Sequence, residues 1–218
     1  METWLERWRE DRIGWHEHEG NASLRKHWRA RGRSVLVPLC GKSVDLAWLA
    51  GQGNRVVGVE VSHIAVEAFF AEQRLDYTVT DGSLQRYDAV GADISIYCGD
   101  FMALTGVQCD AHFDRGALVA LHAEVRRRYA AHVRSLLTDD AEQLVITVGY
   151  DQSVADGPPF SIGDEELQEY WPGLECIDHY DDTENAPPKF LEAGVRAFTE
   201  KVWRSAGDPA ATTNSPRR

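Results

Sequence analysis

Cysteine is scarce in this sequence, and its placement excludes two classes of protein. Four cysteines occur in 218 residues, and no two of them form a C-x-x-C pair: Cys40, Cys98, Cys109 and Cys176. Dense, evenly spaced cysteines are typical of small secreted scaffolds, and C-x-x-C pairs are typical of zinc sites. The sequence therefore predicts reduced thiols, a cytoplasmic protein and no metal site.

Long apolar runs and an excess of positive charge are also missing. No stretch approaches the roughly 20 apolar residues that span a bilayer, and the amino terminus, rich in Trp, Glu and Arg, has no apolar signal core. The formal net charge is -12, so most of the surface would repel a phosphate backbone. We therefore expect neither a membrane nor a nucleic-acid partner. The acidic surface and the lack of heptad repeats favour a monomer.

What the sequence does contain is an alternation of short β-branched runs with amphipathic stretches of helical length. This pattern predicts an α/β fold with a mostly parallel sheet covered by helices. Strands are predicted at 35–39, 56–60, 94–98, up to about 114, 144–148, 174–180 and 196–203. A polar, Pro-containing connection joins the last two, which favours an antiparallel pair. Length predicts one domain over 1–204, and composition predicts a disordered tail over 205–218.

The ends of the first two strands carry the candidate chemistry, because open parallel sheets bind ligands at the carboxyl ends of their strands. The first strand leads into a tight turn in which Gly41 permits a close approach of the backbone. The second strand ends in Glu60, nineteen positions after Gly41. An acidic side chain at this place accepts hydrogen bonds from a ribose diol. The two strand ends therefore predict a nucleoside-containing ligand, either NAD or S-adenosylmethionine.

The glycine content of the first turn separates these two ligands. A pyrophosphate needs several glycines in G-x-G-x-x-G spacing, and this turn has only Gly41. A P-loop would need a further glycine where Leu36 stands. At the third strand end, Asp100 is placed to reach an adenine amine and Phe101 to pack against the ring. The pattern favours S-adenosylmethionine, while a nucleotide-dependent oxidoreductase and a non-catalytic adenosyl-ligand binding module remain alternatives.

Taken together, these segments resemble the thiopurine S-methyltransferase family, from Trp4 to about Trp203. The resemblance is carried by WLERW at 4–8, WH at 15–16, VPLCGKS at 37–43, VGVE at 57–60, FDRGAL at 113–118 and GPPF at 157–160. PLCGKS and DRGAL in this order and at this distance are quite specific. The resemblance implies a Rossmann-like class I methyltransferase fold, with a seven-stranded, mostly parallel sheet whose last strand is antiparallel.

The resemblance also assigns residues to the two ligands. It implies that S-adenosylmethionine contacts Trp4, Trp8, Leu39, Glu60, Gly99, Asp100 and Arg115. It places Trp15 nearer the acceptor. Bacterial relatives are associated with oxyanions of selenium and tellurium as well as thiopurines. The implied activity is therefore methyl transfer to a small thiol, selenium or tellurium acceptor in detoxification, including resistance to tellurite and selenite.

Such a reaction needs little acid–base chemistry, because a thiolate or selenolate is already a strong nucleophile near neutral pH. The protein mainly has to align the reactants and exclude water. Trp4 and Trp8 would share one face of a lid helix. Arg115 is expected to hold an anionic acceptor or to stabilise its deprotonated form, and Asp114 is expected to orient Arg115.

Several of these residues also have simpler structural interpretations. Glu60 would cap the helix after its strand, and Asp100 would be a helix N-cap. Trp4 and Trp8 would be core aromatics of an ordinary helix. Arg115 would form a salt bridge with a neighbouring carboxylate. Only the arrangement of these side chains in space separates the two sets of interpretations.

Overall fold

Strands and helices alternate along most of the chain, as the apolar pattern predicts. The computed structural model describes residues 2–205, with side chains from Trp4 onward. The strands are β1 Ser34–Pro38, β2 Arg55–Glu60, β3 Tyr77–Thr80, β4 Gln85–Ala89, β5 Ile94–Cys98, β6 Cys109–Arg115, β7 Leu137–Gly149, β8 Leu174–Asp181 and β9 Thr199–Ser205. The α-helices are α1 Glu2–Arg9, α2 Ala22–His27, α3 Asp45–Gly51, α4 His63–Gln73, α5 Ala123–Ser135, α6 Asp164–Tyr170 and α7 Pro188–Ala193.

The strands form one sheet in the order β3-β4-β5-β2-β1-β6-β7-β9-β8. Strands β5, β2, β1, β6 and β7 are parallel to one another, and β9 is antiparallel to both β7 and β8. This confirms the predicted parallel sheet with an antiparallel last strand. Strands β2 and β5 lie on one side of β1, and β6 and β7 lie on the other side. The strand order therefore reverses between β1 and β6, and open α/β sheets bind their ligands at such a switch point.

Within residues 2–205 the sheet has nine strands, two more than predicted. The additional pair is the antiparallel hairpin of β3 and β4, which extends the sheet beyond β5. All four residues of β3 are exposed, so no alternation of buried and polar side chains marks it in the sequence. The predicted seven strands correspond to the remaining part, from β5 to β8.

Two hydrophobic cores cover the two faces of the sheet. Val35 and Val37 of β1 pack into the core that includes α2, α3 and α4. Leu36, between them, packs into the core that includes α5 and α6. Alternate residues of a strand point to opposite faces, so a strand that is covered on both faces is apolar throughout.

The carboxyl-terminal end of the described chain differs slightly from the prediction. The tail was predicted to begin at residue 205, but Ser205 pairs with Leu174 and is the last residue of β9. The rest of the predicted tail, 206–218, lies outside the described residues. None of the helices in the part that the structure describes is long and apolar enough to cross a membrane.

Candidate active site

The turn after β1 has an unusual backbone conformation at two positions. Leu39 has a φ angle of 49° and Gly41 one of 54°, both in the left-handed region. A residue other than glycine is strained there, and such strain is concentrated at ligand sites. A Cβ atom on Gly41 would lie 3.2 Å from Cζ2 of Trp8. The turn therefore holds its backbone in a fixed shape, and Trp8 of α1 lies directly over Gly41, which is buried.

The carboxylate of Glu60 lies across this turn at the end of β2. Its Oε2 accepts a hydrogen bond of 2.8 Å from the backbone N–H of Gly41, and its Oε1 accepts one of 2.8 Å from that of Ser62. Burial raises the pKa of Glu60, and these N–H donors oppose the rise. Each carboxylate oxygen still has a free lone pair. Glu60 therefore holds the first turn and the start of α4 and can also accept hydrogen bonds from a diol.

The end of β5 lies beside Glu60. The backbone N–H of Gly99 donates a 2.8 Å hydrogen bond to the carbonyl oxygen of Glu60. Gly99 has a φ angle of 148°, which favours glycine, and a Cβ atom here would also lie 2.4 Å from Cδ2 of Leu84. Asp100 is exposed, and its side chain accepts a 3.0 Å hydrogen bond from the N–H of Met102. Asp100 is thus an N-cap of the short 3₁₀ helix Phe101–Ala103, with its carboxylate next to the strand ends.

The ring of Phe101 lies largely in the second hydrophobic core. It is 6% exposed and packs against α5, with centroids 5.3 Å from Tyr129 and 4.9 Å from His132. The backbone of Phe101 follows directly on the end of β5, next to Asp100. That the ring also packs against adenine stays a prediction.

Three tryptophans of the amino-terminal segment cluster beside the first turn. The ring centroid of Trp15 lies 5.0 Å from that of Trp4 and 5.9 Å from that of Trp8, both in edge-to-face geometry. Trp4 and Trp8 thus share one face of α1, as their spacing predicts. Trp8 is buried, whereas Trp4 and Trp15 are half-buried. The cluster forms an aromatic wall next to Gly41 and Glu60.

Arg115, at the end of β6, holds the amino-terminal segment in place. Its Nη1 donates a 2.9 Å hydrogen bond to the carbonyl oxygen of Trp15, and its Nη2 forms an ion pair with Glu17. Glu17 was not predicted as a partner of Arg115, because 98 positions separate the two residues in the sequence. The structure thus brings Arg115 and Trp15 together, as predicted for residues of one site.

Asp114 does not orient Arg115, which corrects the predicted role. Its Oδ1 accepts a 3.1 Å hydrogen bond from the N–H of Leu118, and its Oδ2 accepts one of 2.7 Å from the hydroxyl of Tyr129. Neighbouring residues of a strand point to opposite faces, so Asp114 and Arg115 cannot face the same side. Asp114 is fully buried, and its hydrogen bond from Leu118 holds the turn that follows β6.

Comparison with known proteins identifies relatives along nearly the whole chain. The profile of the family described as thiopurine S-methyltransferase (TPMT) matches residues 1–208. A thiopurine S-methyltransferase of Bordetella petrii is 46% identical over 213 residues, which cover 93% of this chain and 96% of the relative. One of Pseudomonas putida is 42% identical over 214 residues, which cover 92% of this chain and 96% of the relative.

Solved structures with lower identity share the fold. The 1,6-didemethyltoxoflavin-N1-methyltransferase of Burkholderia thailandensis, solved with S-adenosylhomocysteine, has a TM-score of 0.62 at 19% identity and covers 95% of this chain and 87% of its own. A TehB-like S-adenosylmethionine-dependent methyltransferase of Corynebacterium glutamicum has a TM-score of 0.54 at 17% identity, with 94% and 97% covered. These two concern the fold alone. Since the family profile and both relatives span more than nine-tenths of the sequence, the chain belongs to the thiopurine S-methyltransferase family, whose methyl donor is S-adenosylmethionine.

Proposed function

We propose that this S-adenosylmethionine-dependent methyltransferase methylates the sulfur of an aromatic or heterocyclic thiol such as a thiopurine. Acceptors that contain selenium or tellurium form a second class, and the proposed role is detoxification by a cytoplasmic monomer. The observation that carries the proposal is the aromatic wall of Trp4, Trp8 and Trp15 beside the turn between Leu39 and Gly41. Flat aromatic acceptors fit a wall of edge-to-face rings.

The donor side of the proposed site consists of strand ends. Glu60 would bind the ribose diol, and the exposed carboxylate of Asp100 would bind the adenine amine. Leu39, Gly41 and Gly99 would contribute backbone shape. When bound, S-adenosylmethionine supplies an electrophilic methyl group. The shape of the first turn supports this assignment, because its two left-handed residues allow backbone and ligand to approach closely.

Replacing Gly41 with alanine should weaken donor binding. Alanine in the left-handed region costs about 1 to 2 kcal/mol, and the new Cβ would press against Trp8. We expect about 10-fold weaker binding of S-adenosylmethionine by calorimetry. Gly51→Ala is the matched control, because a Cβ atom at Gly51 meets nothing within 4 Å. Equal affinities for the two variants would exclude a donor contact at this turn.

The acceptor side of the proposed site has to align the acceptor and exclude water, and it needs no proton-transfer group. Trp15 would lie against the acceptor, and Arg115 would hold the backbone of Trp15 at the end of β6. Trp4 and Trp8 would exclude water as parts of a lid helix. The ion pair of Arg115 with Glu17 supports this assignment, because it ties the amino-terminal segment to the sheet.

An acceptor panel tests the proposed function. It contains 6-mercaptopurine, thiophenol, 2-mercaptoethanol, selenite and tellurite, with formation of S-adenosylhomocysteine as the readout. We expect kcat/KM for the two aromatic thiols to exceed that for 2-mercaptoethanol at least about 10-fold, the size of one aromatic contact. Protein that binds S-adenosylmethionine but methylates neither aromatic thiol would contradict the proposal. Turnover with selenite or tellurite alone would move the function to the second class.

A further inference from the structure

The positive charge of Arg115 is already neutralised by the protein itself. Its guanidinium pairs with the carboxylate of Glu17. A second carboxylate, Glu200 of β9, lies close by: burial raises its pKa, and hydrogen bonds from Tyr180 and Ser23 and the charge of Arg115 oppose that rise. Arg115 therefore has two carboxylates near it and little charge left for an anionic acceptor.

Arg7 of α1 is in the opposite situation. Its guanidinium carbon lies 5.1 Å from the ring centroid of Trp4 and 6.0 Å from that of Trp15. Its Nε is buried without a hydrogen-bond partner. Among the side chains of residues 4–205, no carboxylate forms an ion pair with it. In a chain with a net charge of -12, this cation lies on the aromatic wall with no ion-pair partner among the side chains of residues 4–205.

A second cation, Lys189 of α7, lies near Arg7. Its Nζ lies 4.6 Å from the ring centroid of Phe190 and donates a 3.2 Å hydrogen bond to the carbonyl oxygen of Asp156. Burial lowers the pKa of Lys189, the positive charge of Arg7 lowers it further, and the carboxylate of Asp156 opposes this. The positive charge of Arg7 therefore reaches Lys189, and the carboxylate of Asp156 opposes only part of its effect.

A purely structural role does not explain the arrangement of Arg7. A cation on an aromatic ring gains about 0.5 to 1 kcal/mol at a partly exposed site. A buried donor without a partner costs about 1 to 3 kcal/mol. An anion bound beside Trp15 would satisfy the buried Nε and would offset the repulsion from Lys189.

We propose that Arg7 binds the negative charge of the acceptor, so that the acceptor enters the reaction as a thiolate or another anion. This rests on the proposed function. The anionic sulfur forms the bond to the methyl carbon, and the bond from that carbon to the sulfonium sulfur breaks with its electron pair on that sulfur. The protein then has no proton to remove. Arg115 is a positioning residue for Trp15, and Arg7 is the acceptor-binding cation.

The test uses 4-nitrothiophenol, whose thiolate absorbs visible light, with Arg7→Gln, Arg7→Lys and the control Arg9→Gln. Arg9 is an exposed arginine of the same helix. Absorbance of the bound thiol is titrated with pH in the presence of S-adenosylhomocysteine. We expect Arg7→Gln to raise the ionisation midpoint of the bound thiol by roughly one pH unit and to lower kcat/KM for it about 10-fold. Arg7→Lys should recover part of both, and Arg9→Gln should resemble the parent.

Calorimetric titration with S-adenosylmethionine separates a loss of acceptor binding from a loss of donor binding. The proposal requires that Arg7→Gln bind the donor with an affinity within about 2-fold of the parent. A donor affinity that falls as much as kcat/KM would assign Arg7 to the donor site or to helix packing and overturn the proposal. An unchanged ionisation midpoint would overturn it as well. If the parent binds the donor but methylates no aromatic thiol, the proposed function itself fails.

Discussion

Replacing Glu60 with glutamine is expected to weaken the binding of S-adenosylmethionine by about 100-fold, because two charge-assisted hydrogen bonds to the ribose diol become weak or are lost. The side chain is 6% exposed at the end of β2, so water does not screen these bonds. Glutamine has the same shape but presents only one acceptor oxygen. The measurement is calorimetric titration of the donor.

The same substitution should lower the stability of the ligand-free protein by about 1 to 3 kcal/mol, because the amide NH₂ of glutamine would face one of the two buried N–H groups, those of Gly41 and Ser62, that the carboxylate accepts. Burial raises the pKa of Glu60, so the neutral amide also removes a desolvation cost, which offsets part of this loss. Thermal unfolding without ligand checks this part. Glu67→Gln, an exposed position on α4, is the matched control. Parent-like donor affinity in Glu60→Gln would remove Glu60 from the donor site.

The parallel part of the fold was predictable because its strands are buried on both faces. Continuous apolar runs such as those at 35–37 and 56–59 can hardly form anything else next to amphipathic helices. The position of Glu60 was predictable for a related reason. The apolar run of β2 stops directly before Glu60, which places this residue at the end of the strand. Gly41 alone indicated a tight turn after the first strand. Nothing in the sequence indicated that Leu39 would also adopt a left-handed backbone conformation.

Side-chain partners were harder to predict than strands. The hairpin of β3 and β4 lies at an exposed edge, where only Tyr87 is buried, and a single buried residue leaves no alternating apolar signal. The pair of Arg115 with Glu17 joins distant parts of the chain that only the fold brings together. The sequence itself argues against the predicted role of Asp114. This residue directly precedes Arg115 in a strand, and successive side chains of a strand point to opposite faces. The packing of Phe101 against α5 was not predictable either, because an aromatic residue suits a core as well as a ligand.

Two buried groups on β6 should change the stability of the protein in opposite directions over the same range of pH. His112 and Asp114 are both fully buried, and their spacing of two places them on one face of the strand. Burial raises the pKa of Asp114 to about 6, opposed by hydrogen bonds from Tyr129 and the N–H groups of Leu118 and Ala117. Burial lowers the pKa of His112 to about 4, and neither of its ring nitrogens has a hydrogen-bond partner among the described residues.

The signs follow from proton binding in the two states. Between its unfolded pKa, near 3.8, and about 6, folded Asp114 holds a proton that the unfolded chain has lost, so its contribution to stability falls as the pH rises. Between about 4 and its unfolded pKa, near 6.5, His112 lacks a proton that the unfolded chain binds, so its contribution falls as the pH drops. Each contribution is about 3 kcal/mol, and in the parent the two largely offset each other.

Single substitutions should reveal each contribution separately. From pH 4 to 6.5, we expect the difference in unfolding free energy between Asp114→Asn and the parent to shift by about 3 kcal/mol in favour of the variant. For His112→Phe the shift should have the same size and favour the variant as the pH falls. Urea unfolding at pH 4, 5, 6 and 6.5 measures both, with the exposed Asp140→Asn as control. Differences that do not vary with pH would mean that neither group is held in an unusual protonation state, and that solvent reaches this face of β6.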